Sequence, residues 1–473
     1  MKKKKILDSR REFLKSASLA SAGFMIVPRH VLGGKGFLAP SDKLVVAGIG
    51  VGGKGKSDLK YFYDSGKADI GYLCDVDDRM AKGSIAAYPK AKYYKDWRKM
   101  MEVESKNFDA VSVSTPDHNH AVQAMAAMQL GKHVYVQKPM THDIFEARML
   151  TQAAAKYKVV TQMGNQGHSE ANYFQFKAWK EAGIIKDVTA ITAHMNSARR
   201  WHAFDPKIKS LPAKEAIPTT LDWDTWHGVV KEHDYNHDYH NGQWRCWYDF
   251  GMGALGDWGA HLIDTAHQFL DLGLPNEISM VRADQHNPFF YPFSSTILFK
   301  FPERKGMPAC DITWYDGLNN LPPLPEGYGS SAKLDSNIPA PSNGAIQSQK
   351  LNPGKIIYSK DLIFKGGSHG STLSIIPEEK GREMASRLPE VPVSPSNHYA
   401  NFLKACLGQE ETRSPFAIAG PLSQVFCLGV LSQMLNTTLK FDRKKKQITN
   451  NKLANQLLVG EPPRKGWEQY YKM

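Results

Sequence analysis

An apolar run, a glycine loop and an acidic residue, in that order, constrain this chain more than anything else in it. Leu44-Val45-Val46-Ala47 enters Gly48-Ile49-Gly50-Val51-Gly52-Gly53, a match to G-x-G-x-x-G, and a second apolar run, Ile70 to Cys74, ends on Asp75. That order predicts a βαβ unit that binds a dinucleotide. In this reading Gly48 permits the tight turn, Gly50 lets the backbone approach a pyrophosphate, and Gly53 lets the next helix pack close. Bare amides at that helix start favour the phosphate charge. Asp75 would accept hydrogen bonds from an adenosine ribose, which favours NAD over NADP.

With 473 residues the chain is long enough for two or three domains with real cores. Its net charge of +13 looks at first like a nucleic-acid footprint, but residues 1–40 carry nine Lys or Arg against Asp8 and Glu12 and so supply +7 of it. The run Arg443 to Lys446 reads as a solvated turn, and no nucleic-acid partner is expected. Ser9-Arg10-Arg11-Glu12-Phe13-Leu14-Lys15 looks like the twin-arginine motif, behind a basic start and ahead of a mildly apolar stretch, Ser16 to Pro28. Residues 1–34 are therefore expected to be a signal read by the twin-arginine export machinery, which carries folded proteins to the periplasm. Beyond it no apolar stretch reads as a bilayer span or a stable membrane anchor. The five cysteines, at 74, 246, 310, 406 and 427, have neither C-x-x-C nor metal-like spacing and read as buried thiols without a disulfide framework.

Residues 43–165 alternate apolar β-branched runs with helical patterns, which predicts a doubly wound parallel sheet. From about 187 strands dominate (Val188 to His194, Ile278 to Asp284, Ser295 to Phe301, Pro308 to Trp314, Lys355 to Tyr358, Asp361 to Phe364). They predict an α+β domain, 166–473, on an open, mainly antiparallel sheet. Helices are expected near Gly256 to Leu272, His398 to Leu407 and Pro421 to Leu439. Residues 317–353, rich in Pro, Gly, Asn and Ser, read as a long surface loop, a lid or an oligomer arm.

Three motifs carry chemistry. Ser114-Thr115-Pro116-Asp117-His118-Asn119-His120 follows the fourth strand, on the carboxyl edge where such sheets bind ligands. Its histidines could equally cap and pack the next helix. Tyr135-Val136-Gln137-Lys138-Pro139 ends another strand and would aim Lys138 at the cleft. Asp257, His261 and Asp264, spaced i, i+4, i+7, share one helix face. A carboxylate one turn from a histidine can orient it and raise its basicity; alternatively the three could ligate a metal, although no further cluster demands one. Ahead of that helix, His233 to His240 and Trp244-Arg245-Cys246-Trp247-Tyr248 suit a carbohydrate site, aromatic rings stacking on sugar faces while His, Asn and Arg bond hydroxyls.

In this order the three motifs closely resemble the Gfo/Idh/MocA oxidoreductases, over residues 43 to about 440. The resemblance implies a Rossmann domain joined to an α/β domain with an open sheet, and oxidation or reduction of sugars and cyclitols. The family's usual Glu-Lys-Pro appears as Gln137-Lys138-Pro139, so its catalytic lysine maps to Lys138 and the negative charge beside it is missing. Its Asp-x-x-x-His pair maps to Asp257 and His261. Gly164-Asn165-Gln166 and Pro463-Arg464-Lys465-Gly466-Trp467 are similar to the exported branch. The expected site thus comprises Lys138, Asp257 and His261 as catalytic residues and Gly48, Gly50, Gly53, Asp75, Thr115, Pro116, His120, Gln137 and Lys138 around NAD. Gln166, His168, His240, Trp244, Arg245 and Asp264 would face a saccharide, with no metal, in a homo-oligomer (dimer or tetramer). The expected activity is NAD(P)-dependent oxidation or reduction at a CH–OH carbon. Its rivals are a glycosidase that oxidises its substrate transiently, whose known branch lacks the Lys-Pro motif, and a non-catalytic nucleotide- or sugar-binding protein.

Overall fold

Leu44–Ile49 (β1) is buried on both faces, as a central strand of a parallel sheet must be. It is flanked by Ala68–Cys74 (β2), Lys92–Tyr94 (β3), Ala110–Val113 (β4), His133–Val136 (β5) and Thr161–Met163 (β6), all parallel, in the order β3-β2-β1-β4-β5-β6. The computed structural model describes residues 42–195, 197–198, 205–240, 242–304, 306–329, 346–347 and 351–473. The segment 1–34 assigned to export lies outside the described residues, as does most of the loop 317–353. Everything from Leu44 onward belongs to one compact unit.

The connecting helices are Gly53–Asp64 (α1), Asp78–Ala87 (α2), Trp97–Glu104 (α3), His120–Gln129 (α4) and Ile144–Tyr157 (α5). Their starts are written in the sequence: Asp77, Asp96 and Asp143 accept first-turn amides of Arg79, Arg98 and Glu146, the usual work of an N-cap aspartate. The strand order reverses between β1 and β4, which opens a crevice at their carboxyl ends.

The turn from β1 into α1 settles which glycines matter. Gly48 lies within β1, opposite Leu73 and Ser112, and Gly53 has open space where a Cβ would stand. Gly50 has φ +76°, and a Cβ there would lie 2.6 Å from the Ser114 carbonyl oxygen. A Cβ on Gly55 would lie 1.7 Å from the Gly50 carbonyl oxygen. The tight turn and the close packing therefore fall on Gly50-Val51-Gly52-Gly53-Lys54-Gly55, which also reads G-x-G-x-x-G, two residues beyond the register expected from sequence. The cause is the length of β1, which continues through Gly48 and Ile49 before the chain turns.

The second half adds Ala171–Glu181 (α6), Val188–Met195 (β7), Gly253–Leu262 (α7), Asp264–Phe269 (α8), Glu277–Asp284 (β8), Ser294–Phe301 (β9), Cys310–Gly317 (β10), Gly354–Ser359 (β11), Ile363–Gly367 (β12), Leu373–Ile376 (β13), His398–Cys406 (α9), Phe416–Met434 (α10), Thr438–Asp442 (β14) and Gln447–Ile448 (β15). Its sheet runs β13-β12-β11-β7-β10-β9-β8-β14-β15, antiparallel except for the β7–β10 pair. This is the α/β fold with a mainly antiparallel second sheet that the sequence implied.

Several elements differ from expectation. The helix expected at Gly256 to Leu272 is two helices that meet at Ile263. The last long helix begins at Phe416, contains Pro421, and stops at Met434 because Asn436 turns left-handed (φ 45°) and sends Leu439 into β14. Helix α6 and strand β13 were not foreseen. By length and composition α10 could cross a membrane, but it is mostly buried, against α5, α7 and β8, so its apolarity serves the core. All five cysteines are free thiols. Packing at Gly55 yields a direct test: Gly55→Ala should cost about 1–3 kcal/mol in a denaturant melt, as overpacking typically does. Gly48→Ala, whose new methyl meets only the flexible ends of Leu59 and Val51, should cost less.

Candidate functional site

The crevice at the switch point is a cleft of about 340 Å³, floored by Gly50, Gly52, Gly53, Asp75, Thr115 and Pro116 and roofed by Trp226, His240, Trp244 and Arg245. Its roof is a strap from the second half of the chain. The Asp222 amide donates to the Val76 carbonyl (2.9 Å) and the Asp78 amide to that of Thr220 (3.2 Å). His240 Nε2 stands 3.6 Å from Asp77, and the Arg245 guanidinium lies over the Trp244 ring at 4.0 Å. His240, Trp244 and Arg245, expected at a saccharide, therefore line the nucleotide side of the site.

Asp75 ends β2 inside this cleft. Its Oδ2 accepts the amides of Val51 (2.9 Å) and Gly52 (3.1 Å), and its Oδ1 that of Asp77 (3.1 Å). One carboxylate thus pins the glycine turn to the strand end. Burial pushes its pKa up to about 6 against the pull of those amides. Helix α1 opens at Gly52 without a side-chain cap, leaving its first turn available to an anion.

Lys138 leaves β5 at a cis Lys138–Pro139 peptide and donates to Asp257 Oδ1 (2.6 Å) and to the Asp257 carbonyl (2.8 Å). Arg245 Nε lies 3.8 Å from the same carboxylate. The carboxylate that the sequence reading turns toward His261 is hydrogen-bonded to the ammonium, and its charge still favours protonation of His261. His261 is fully buried, and desolvation, with help from His369 and Lys138, drives its pKa well below the ordinary value, leaving a neutral ring with little hold on an anion. Its ring stacks on His369 at 4.0 Å, and its Nδ1 is buried without a hydrogen-bond partner. Beneath Lys138, Asp117 accepts the Met252 amide (3.0 Å), and burial raises its pKa to about 7 despite Arg245 nearby.

Several expected contacts lie behind the cleft instead. His120 bridges the carbonyls of Pro139 (2.6 Å) and Thr115 (2.8 Å), fixing the two loops to each other, and burial holds it down at about 4. Gln137 donates to Asp58 (2.8 Å). Gln166 donates to Tyr135 Oη (3.0 Å) and Tyr399 Oη (3.3 Å). His168 and Asp264 pair at 2.8 Å with both side chains almost fully buried. Asn165 also donates to Asp264 (3.1 Å). These residues brace the site from within, where each satisfies a buried polar partner. Among the described residues no three His, Cys, Asp or Glu side chains converge as a metal site. Sequence reasoning missed Lys54, Asp58, Tyr399 and His369. Lys54 and Asp58 stand in the first turns of α1, where a search along the helix face below the glycine turn would have found them; His369 and Tyr399 come from distant parts of the chain and left no local signal.

The model of the oxidoreductase family with an NAD-binding Rossmann fold matches residues 44–165, and that of its C-terminal alpha/beta domain matches residues 175–299. The chain belongs to the Gfo/Idh/MocA family. It is similar to a glycosyl hydrolase family 109 protein of Shewanella pealeana, 26% identical over 41% of this chain and 51% of that protein. It is also similar to inositol 2-dehydrogenase 1 of Saccharopolyspora erythraea, 31% identical over 21% of this chain and 30% of that protein. The chain spans about half the length of the first of these relatives and under a third of the second. In fold it resembles the WlbA dehydrogenase of Bordetella pertussis, crystallised with NADH and UDP-GlcNAcA, with a TM-score of 0.57 and 14% identity over 85% of this chain and 98% of that one.

Membership of this family makes the cleft an NAD site, and its features fit that cofactor: a turn with no room for side chains at Gly50 and Gly55, an uncapped helix start, and an acid at the end of β2. Because the pKa of Asp75 is raised to about 6, it takes up a proton as pH falls through that value. NADH affinity should therefore weaken between about pH 7 and pH 5, and Asp75→Asn should flatten the dependence; an unchanged profile would remove Asp75 from cofactor binding. Asp75→Ala should also narrow a preference for NAD over NADP, and equal affinity for both in the unmutated protein would overturn the role given to its charge.

Proposed function

We propose that this protein is an NAD-dependent oxidoreductase that acts at a CH–OH carbon of a sugar or glycoside. The observation that carries the proposal is the Lys138–Asp257 pair at the carboxyl edge of the parallel sheet, beside Arg245 of the nucleotide cleft and one helical turn from His261. NAD, when bound, supplies the hydride acceptor. Asp257 fixes the Lys138 ammonium by a charge-assisted bond, so that a preorganised cation meets the substrate oxygen as negative charge develops on it. The neutral His261 ring, with Nδ1 unpartnered, is in the state needed to accept the hydroxyl proton. Arg245 adds a second cation beside Asp257.

A specific observation favours a second reading. The similarity to a glycosyl hydrolase family 109 protein supports a redox-neutral cleavage, in which transient oxidation permits elimination of the leaving group before water adds and the carbon is reduced again. The strap over the cleft supports a cofactor that stays bound between turnovers, as this redox-neutral chemistry, which regenerates NAD within each cycle, would allow.

Lys138→Ala and His261→Ala should each lower turnover by roughly 10²–10⁴-fold, the usual contribution of a positioned acid–base group. NADH affinity should change little in His261→Ala. Glycosides incubated with the protein and NAD should give net NADH in the dehydrogenase reading, and free sugar without net NADH in the glycosidase reading. Ligand binding without either product, unaffected by both substitutions, would point to a binding protein. The twin-arginine motif supports export of the folded chain to the periplasm: Arg10→Lys with Arg11→Lys should leave folded precursor in the cytoplasm, and undiminished export would rule that route out.

A further inference from the structure

We infer that Asp58 is a positioning residue which ties the nucleotide-binding turn to the lysine-bearing strand end, and that its charge requires a neutral side chain at position 137. Asp58 stands on the second turn of α1 and is completely buried. Its Oδ1 accepts the Lys54 ammonium (2.8 Å) and the Tyr399 hydroxyl (2.8 Å). Its Oδ2 accepts the Ser114 hydroxyl (2.9 Å) and the Gln137 amide (2.8 Å). A carboxylate has about four acceptor positions, so these four donors saturate it. That saturation is what makes a completely buried charge tolerable.

Each donor comes from a different part of the site. Lys54 belongs to the glycine turn and lines the nucleotide cleft, 41% exposed at its side chain. Ser114 ends β4, and its carbonyl is the group against which Gly50 packs. Gln137 directly precedes Lys138 at the end of β5. Tyr399, on α9, also accepts from Lys54 Nζ (2.8 Å) and Gln166 (3.3 Å). One anion thus holds the turn that faces the cofactor, the two strand ends beside it and the helix behind it in a single register.

The requirement at 137 follows from charge. Gln137 offers Asp58 an N–H donor; a glutamate there would set a second carboxylate at hydrogen-bond distance from the first, in a buried place. Like charges so close cannot both stay ionised, and one of the bonds to Asp58 would be lost. An asparagine at 58 has the opposite fault, turning an NH₂ group towards donors.

The inference rests on cofactor binding at the glycine turn and not on the reaction proposed above, so its test reads NADH binding by fluorescence titration, with thermal melts in parallel. Asp58→Asn and Gln137→Glu should each weaken NADH binding about tenfold or more, the scale of one unsatisfied buried polar group. The double exchange, Asp58→Asn with Gln137→Glu, again pairs one carboxylate with one carboxamide and should recover most of that loss. If the double variant shows the product of the two single losses, the residues are uncoupled and the inference fails. If Asp58→Asn does not fold, Gln137→Glu against Gln137→Met decides. Both delete the donor and only Glu adds charge, so Glu should weaken NADH binding several-fold more than Met, and equal losses overturn the inference.

Discussion

The bond from the Lys138 ammonium to Asp257 is the contact on which the site depends, because it joins the two halves of the chain at the point where chemistry would occur. Lys138 ends a strand of the parallel sheet and Asp257 sits on a helix packed against the antiparallel one. A lysine side chain left alone is a flexible, strongly hydrated cation. Bound at 2.6 Å and largely shielded from water, it becomes a fixed charge in a low-dielectric setting, where electrostatic effects on a reacting oxygen are strongest. Beside it, burial keeps His261 neutral.

Around that pair the protein buries several further charged or polar groups and satisfies most of them. Asp58 takes four donors. Asp264 accepts from His168 and Asn165; burial alone would raise its pKa, but His168, with Lys355 and the Thr265 amide, holds it below the ordinary carboxylate value. Lys355 is itself buried with an unpartnered ammonium, and desolvation lowers its pKa. Such networks are costly to break, and they fix loops that would otherwise have several arrangements. The carboxyl edge of the parallel sheet therefore rests on a polar network as well as on the apolar core.

Much of this was legible in the chain itself. Alternating apolar runs implied the parallel sheet, because periodicity is local. Lys138, Asp257 and His261 stand in short motifs at a strand end or on a helix face, and the structure brings Lys138 and Asp257 together. The misreadings have a common origin. The glycine register slipped by two because G-x-G-x-x-G occurs twice in eight residues, and only the end of β1 decides between them. The last long helix was extended through Asn436 because propensity does not reveal a left-handed residue.

The sequence by itself determined the fold class and the place of the dinucleotide cleft, since these depend on patterns spanning a few residues. Tertiary structure alone decided who pairs with whom. That Asp257 meets Lys138, that Gln137 faces Asp58, and that His240, Trp244 and Arg245 roof the nucleotide cleft are outcomes of contacts across more than a hundred residues in the first and last cases and 79 in the second. Charge pairing in a buried site is set by distance and desolvation, and spacing along the chain carries neither.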